Sequence, residues 1–154
     1  MRTGFFLFLI VFLFNSFESM SQMADTKVLG LADAVRITDA AEKRARQDKW
    51  NVVIAVVDAG GHLISLKRLD GTQIGSVEVA IKKAQAAVYF KRPTKAFQER
   101  VEAGAYGVMS LPNVMPVEGG IPIEHEGKII GAIGVSGVTS EQDGIIGQAG
   151  ISAL

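Results

Sequence analysis

His62 and His125 are the only histidines of this 154-residue chain, and there is no cysteine. A neutral imidazole is the commonest protein ligand for a metal ion and the one side chain that titrates near neutral pH. Both histidines fall beside glycine turns at the ends of β-type runs. His62 closes the stretch Asp58-Ala59-Gly60-Gly61-His62. There the Asp58 carboxylate stands across the turn, placed to accept from one ring nitrogen while the other binds a metal. The competing reading makes His62 an edge residue that only packs on its hairpin. His125 belongs to no such pattern and reads as a solvated turn residue.

Two further spots carry chemistry. In Lys91-Arg92-Pro93-Thr94-Lys95 the Thr94 hydroxyl suits an N-cap. The free N–H groups of a helix starting there would favour a carboxylate, with Lys91, Arg92 and Lys95 adding positive charge. Glu118, followed by Gly119-Gly120, is a carboxylate that can approach a bound group closely, accept a hydrogen bond or act as a base.

Other chemistries are excluded. Without cysteine there are no disulfides, thiolate nucleophiles or thiolate metal sites. With two histidines a closed zinc site is disfavoured, although histidine with carboxylates stays open. No phosphate-loop pattern or nucleophile elbow is present. The spaced glycines Gly131, Gly134 and Gly137 sit inside a strand pattern, which a dinucleotide site does not use. Sixteen basic and sixteen acidic residues balance, so no basic field recruits nucleic acid or an anionic membrane.

Helical spacing over residues 29–49 predicts an amphipathic helix packed through Leu31, Ala34, Val35, Thr38, Ala41 and Ala45. Asn51–Asp58 and His62–Arg68 form a hairpin around Ala59-Gly60-Gly61. Ser76 N-caps a helix running to Phe90 with Val79, Ala80, Lys83, Ala84 and Ala87 near one stripe, while Lys82 and Lys83 read as a solvated helix face. A short helix follows Thr94 to about Ala103, and residues 104–116 read as loop. Gly120–His125 and Lys128–Ser136 make a second hairpin through Glu126-Gly127. Thr139-Ser140 caps a last helix from Glu141 to about Ala153. The order α-β-β-α-α-β-β-α, with hairpin-linked strands, predicts an α/β (α+β) domain: an antiparallel sheet flanked by helices.

At the N-terminus, Arg2 precedes an unbroken apolar run, Phe5 to Phe14, and then Ser19-Met20-Ser21. This is the pattern of a secretory signal over residues 1–21, leaving a mature domain of residues 22–154 that is periplasmic or secreted. The run is too short to span a bilayer, so no stable membrane span is left after signal removal. The alternatives are a membrane anchor or a cytoplasmic protein that starts at Met20 or Met23.

Seven ordered stretches carry a family resemblance over residues 28–154. They are Val57–Leu63, Arg68–Gly71, Ala80–Ala84, Arg92–Thr94, Glu118–Ile123, Gly131–Gly137 and Glu141–Asp143. Together they resemble the GlcG/HbpS group, haem-binding or haem-degrading proteins related to the C-terminal domain of PduO-type proteins. The resemblance implies a profilin-like sheet, a homo-oligomer and a small-molecule ligand, haem or a related tetrapyrrole. It implies a pocket near Thr94, with His62 as iron ligand and Arg92, Lys95 and Glu118 around the ligand. Two other expectations stand beside it. One is an enzyme of glycolate-type metabolism, with Glu118 or His62 as base and Arg92 clamping a small carboxylate. The other is a structural or sensory oligomer without a ligand.

Overall fold

The computed structural model describes residues 27–154; the signal segment expected over residues 1–21 lies outside the described residues. The elements are α1 (Leu31–Gln47), β1 (Val53–Asp58), β2 (Leu63–Arg68), α2 (Ser76–Phe90), α3 (Lys95–Glu102), β3 (Gly120–His125), β4 (Lys128–Ser136) and α4 (Ser140–Ile151). A 3-10 turn, Tyr106–Ser110, sits in the connection after α3. The two hairpins join edge to edge into one sheet of order β2-β1-β4-β3, antiparallel throughout. The expected order of elements and the helix-flanked antiparallel sheet are both found.

The sheet is central because β1 and β4 are apolar on both sides. Ile54, Val56, Ile133 and Val135 face α1 and α4, meeting Ile37, Ala41 and Ile146. Val53, Ala55, Val57 and Ala132 face α2, meeting Ala80, Ala84, Ala87 and Val88. Burial on both faces explains why Val53–Val57 reads as an unbroken apolar run rather than an alternating one.

The glycines in β4 have a packing cause. Gly134 lies in register with Gly120 of β3 and Ala55 of β1. A side chain at Gly134 would overlap the Ala80 carbonyl and the Ala84 amide of α2, and one at Gly120 would overlap the Lys83 carbonyl. Small residues along this row let α2 lie directly on the sheet.

Local details depart from the expectations in three places. The buried face of α1 is Ala34, Ile37, Thr38, Ala41 and Ala45, while Leu31 and Val35 are exposed. Ser76 is the first residue of α2 rather than its cap, and its hydroxyl lies 3.2 Å from the Ser136 hydroxyl. Thr94 precedes α3 but makes no capping hydrogen bond, because its backbone is already helical and its hydroxyl points elsewhere. Thr139 does cap α4, in a reciprocal capping box with Gln142.

The outer strand β3 is guarded against pairing with other chains. The Thr94 N–H donates to the Gly120 carbonyl (2.9 Å), and the Gly120 N–H donates to the Thr94 hydroxyl (2.9 Å). Pro122, two residues further on, has no N–H to offer.

Candidate functional site

The β1–β2 turn is built around Asp58. Its carboxylate accepts from the Gly60 N–H (2.8 Å) and the His62 N–H (2.9 Å), which closes the turn and aims the imidazole. The His62 N–H, and then that of Gly60, hold the Asp58 carboxyl below the ordinary carboxylate range. His62 Nδ1 lies 3.4 Å from the same carboxylate oxygen, and the imidazole is 84% exposed. Nδ1 thus faces the carboxylate, and Nε2 is left for a ligand.

Helix α2 flanks this turn. Gln85 Nε2 donates to the Gly61 carbonyl (3.1 Å), and the Tyr89 ring packs where a Gly61 side chain would stand. Tyr89, beside Gly61, and Leu63, at the start of β2, are each nearly half exposed (45% and 49%). One helical turn before Gln85, Lys82 shares with Gln85, Asn113 and Val114 a cleft of about 270 Å³.

The Thr94 corner is arranged differently. Thr94 is fully buried, and its hydroxyl donates to the Val117 carbonyl (2.7 Å) while accepting from Gly120. Its polar atoms are committed to joining the start of α3 to β3. Lys95 and Glu118 pair at 3.0 Å. The Glu118 backbone N–H donates to Gln98 Oε1 (2.7 Å), and the Lys95 pKa is raised by its hydrogen bond to Glu118. Arg92 turns from this corner: its guanidinium donates to the Phe90 carbonyl (3.1 Å) and stands 5.8 Å from the Phe97 ring centre.

The structure therefore brings Thr94, Lys95 and Glu118 together but leaves His62 apart from them. Gly120 is in register with Ala55, whereas His62 follows Asp58. The separation is about two strand spacings, ~10 Å, across the sheet and ~10 Å along it. His125 ends β3 and borders a small cleft with Lys27, Asp33 and Arg36, away from both spots.

Sequence reasoning missed one pair. Lys83 is buried, not solvated, and its ammonium reaches the Asp143 carboxylate (2.8 Å) and the Val135 carbonyl (3.0 Å). Its place on the apolar stripe of α2 was the available signal, since a lysine there requires a buried acceptor. Asp143 is on α4, so the pair ties together helices from opposite faces of the sheet. It passes beside Gly119, where a side chain would stand 2.9 Å from Lys83 Nζ. Burial pushes the Asp143 carboxyl above its ordinary range, against the pull of Lys83.

Among the described residues no three histidine or acidic side chains gather as a metal cluster, so Asp58 and His62 stand as a pair. No described helix is long and apolar enough to cross a membrane.

Residues 29–152 match the family model described as haem degrading protein HbpS-like. The chain belongs to the HbpS-like family. It is 37% identical over 109 residues to protein GlcG of Escherichia coli K12, spanning 71% of this chain and 81% of GlcG. It superposes on Klebsiella pneumoniae protein ORFY with a TM-score of 0.80 at 30% identity, covering 87% of this chain and 95% of ORFY. With the haem complex of PduOC the TM-score is 0.75 at 32% identity, covering 83% of this chain and 96% of PduOC. This HbpS-like fold thus has a relative solved with haem.

Proposed function

We propose that this HbpS-like protein binds haem or a related tetrapyrrole on the surface formed by the β1–β2 turn and α2, with His62 as the imidazole ligand. The observation that carries the reading is the aim of the His62 ring, with Nδ1 against the Asp58 carboxylate and the imidazole exposed. The surroundings suit the group. Tyr89 and Leu63 offer apolar surface to a macrocycle, and Lys82 and Lys91 are cations on α2 and at its end for carboxylate substituents. When bound, haem would supply an iron open to ligand exchange and electron transfer. With Nδ1 facing the Asp58 carboxylate, the imidazole would present Nε2 to the iron.

Thr94 stands outside this site because it is buried, with its hydroxyl bonded to Val117 and Gly120. The small-carboxylate enzyme needs Glu118 or His62 and the Arg92 guanidinium around one substrate. Arg92 instead donates to the Phe90 carbonyl and lies over Phe97.

The reading includes export and self-association. The apolar run from Phe5 to Phe14 supports export, and N-terminal sequencing of the mature protein should begin at Gln22. Tyr106 and Met109 in the 3-10 turn, with Leu111 after it, are exposed and supply apolar surface for a subunit contact, to be checked by light scattering.

The test of ligation is chemical rescue. Haem added to the purified protein should give a saturable Soret band. His62→Gly should lose that band, and free imidazole should restore it. A His62→Gly protein that titrates like wild type would end the reading.

A further inference from the structure

A second cavity, distinct from the His62 surface, opens where β3 begins. It measures about 310 Å³ and lies between α4 and the start of α3, with Ile121, Ile145, Pro93 and Gly144 as its apolar walls. Its charged groups are Lys95 and Glu118, paired at 3.0 Å.

The two partners are held unequally. Glu118 is only 16% exposed, whereas Lys95 is 52% exposed. The Glu118 backbone is fixed by Gln98, and its carboxylate lies against α4 at Gly144, where an added side-chain carbon would come within 2.5 Å of Oε1. Glycine at 144 is thus what allows the carboxylate to rest on the helix and face the cavity. Behind Gly119, the charges of Lys83 and Asp143 are spent on each other. The cavity therefore presents one positive and one negative group and no excess of either.

We propose that this cavity binds a small zwitterion with an aliphatic side chain, of the class of the branched α-amino acids. An exposed ion pair contributes little on its own. A ligand carrying both charges replaces that one contact with two: its carboxylate on Lys95 and its ammonium on Glu118. Its alkyl group covers Ile121 and Ile145. A simple anion would meet the Glu118 carboxylate at close range, and a simple amine would meet Lys95. A cavity of this size, apolar with two convergent polar groups, has the make-up of a small-ligand site.

The test is amide NMR on the purified protein, titrated with L-leucine, isovalerate and isoamylamine. Leucine should shift the Gly119 and Gly144 amides saturably. Neither half-molecule should saturate over the same range. Glu118→Gln and Lys95→Met should each weaken leucine by roughly tenfold or more, the loss of one charge-assisted contact, and His62→Ala should leave it unchanged. Absence of saturable shifts with leucine would overturn the proposal. So would isovalerate binding equally well to wild type and Glu118→Gln, the mark of an anion site only.

Discussion

The β1–β2 turn and the Thr94 corner both set polar side chains beside glycines and use them in opposite ways. At the corner, Thr94, Lys83 and Asp143 are buried and bonded to partners within the chain. At the turn, Asp58 is bonded to the backbone, yet the imidazole it aims is open to solvent. A polar side chain buried and bonded within the fold is closed to a ligand, and one held in place with an exposed free atom is open to it. On the proposed reading, the buried Thr94, Lys83 and Asp143 serve stability, and the turn serves haem ligation.

The sharpest way to break this contrast starts with backbone packing. Gly134→Val drives a side chain into the Ala80 and Ala84 backbone, which cannot yield as a flexible side chain would. The expected outcome is loss of most of the ~5–15 kcal/mol that stabilises a typical domain, seen as no cooperative melting transition. Lys83→Met comes next, since it strands the Asp143 carboxylate without its cation; it should cost about 3–5 kcal/mol by denaturant unfolding. Thr94→Val removes the acceptor of Gly120 and the donor to Val117, and should cost about 1–3 kcal/mol while haem absorbance is kept.

The smallest effect, and the one that separates the regions by sign, is pH. The Asp58 pKa is lowered in the fold, so its contribution is present above the unfolded value of ~3.9 and is lost as pH falls through the folded one. The Asp143 pKa is raised, so its contribution is present below ~3.9 and is lost as pH rises through the folded value. Asp58→Asn should therefore lower Tm at neutral pH, and the difference from wild type should close in acid. A gap that widens in acid would mean that the turn does not depend on the ionised carboxylate.

Much of this was legible in the sequence, for physical reasons that differ by region. The second hairpin, β3 and β4, has the expected bounds because Glu126-Gly127 is a two-residue turn with both residues at positive φ, 48° and 74°. Such a turn fixes strand register locally. The Asp58–His62 pairing was equally local, four residues within one turn. The corner was not legible, because its bonds join residues 23 to 60 positions apart: Thr94 to Val117, and Lys83 to Asp143. Local pattern suggested a helix cap for Thr94, and tertiary contact put its hydroxyl on β3 instead. The glycines of β4 were visible, but what packs on them, α2, is a fact of the fold.

The most direct measurement is a parallel haem titration of wild type, His62→Ala and Thr94→Val, followed at the Soret band. The result expected is saturable binding in wild type and Thr94→Val, with the band lost in His62→Ala. Loss in Thr94→Val with retention in His62→Ala would contradict the division between the two regions and return the ligand to the Thr94 corner.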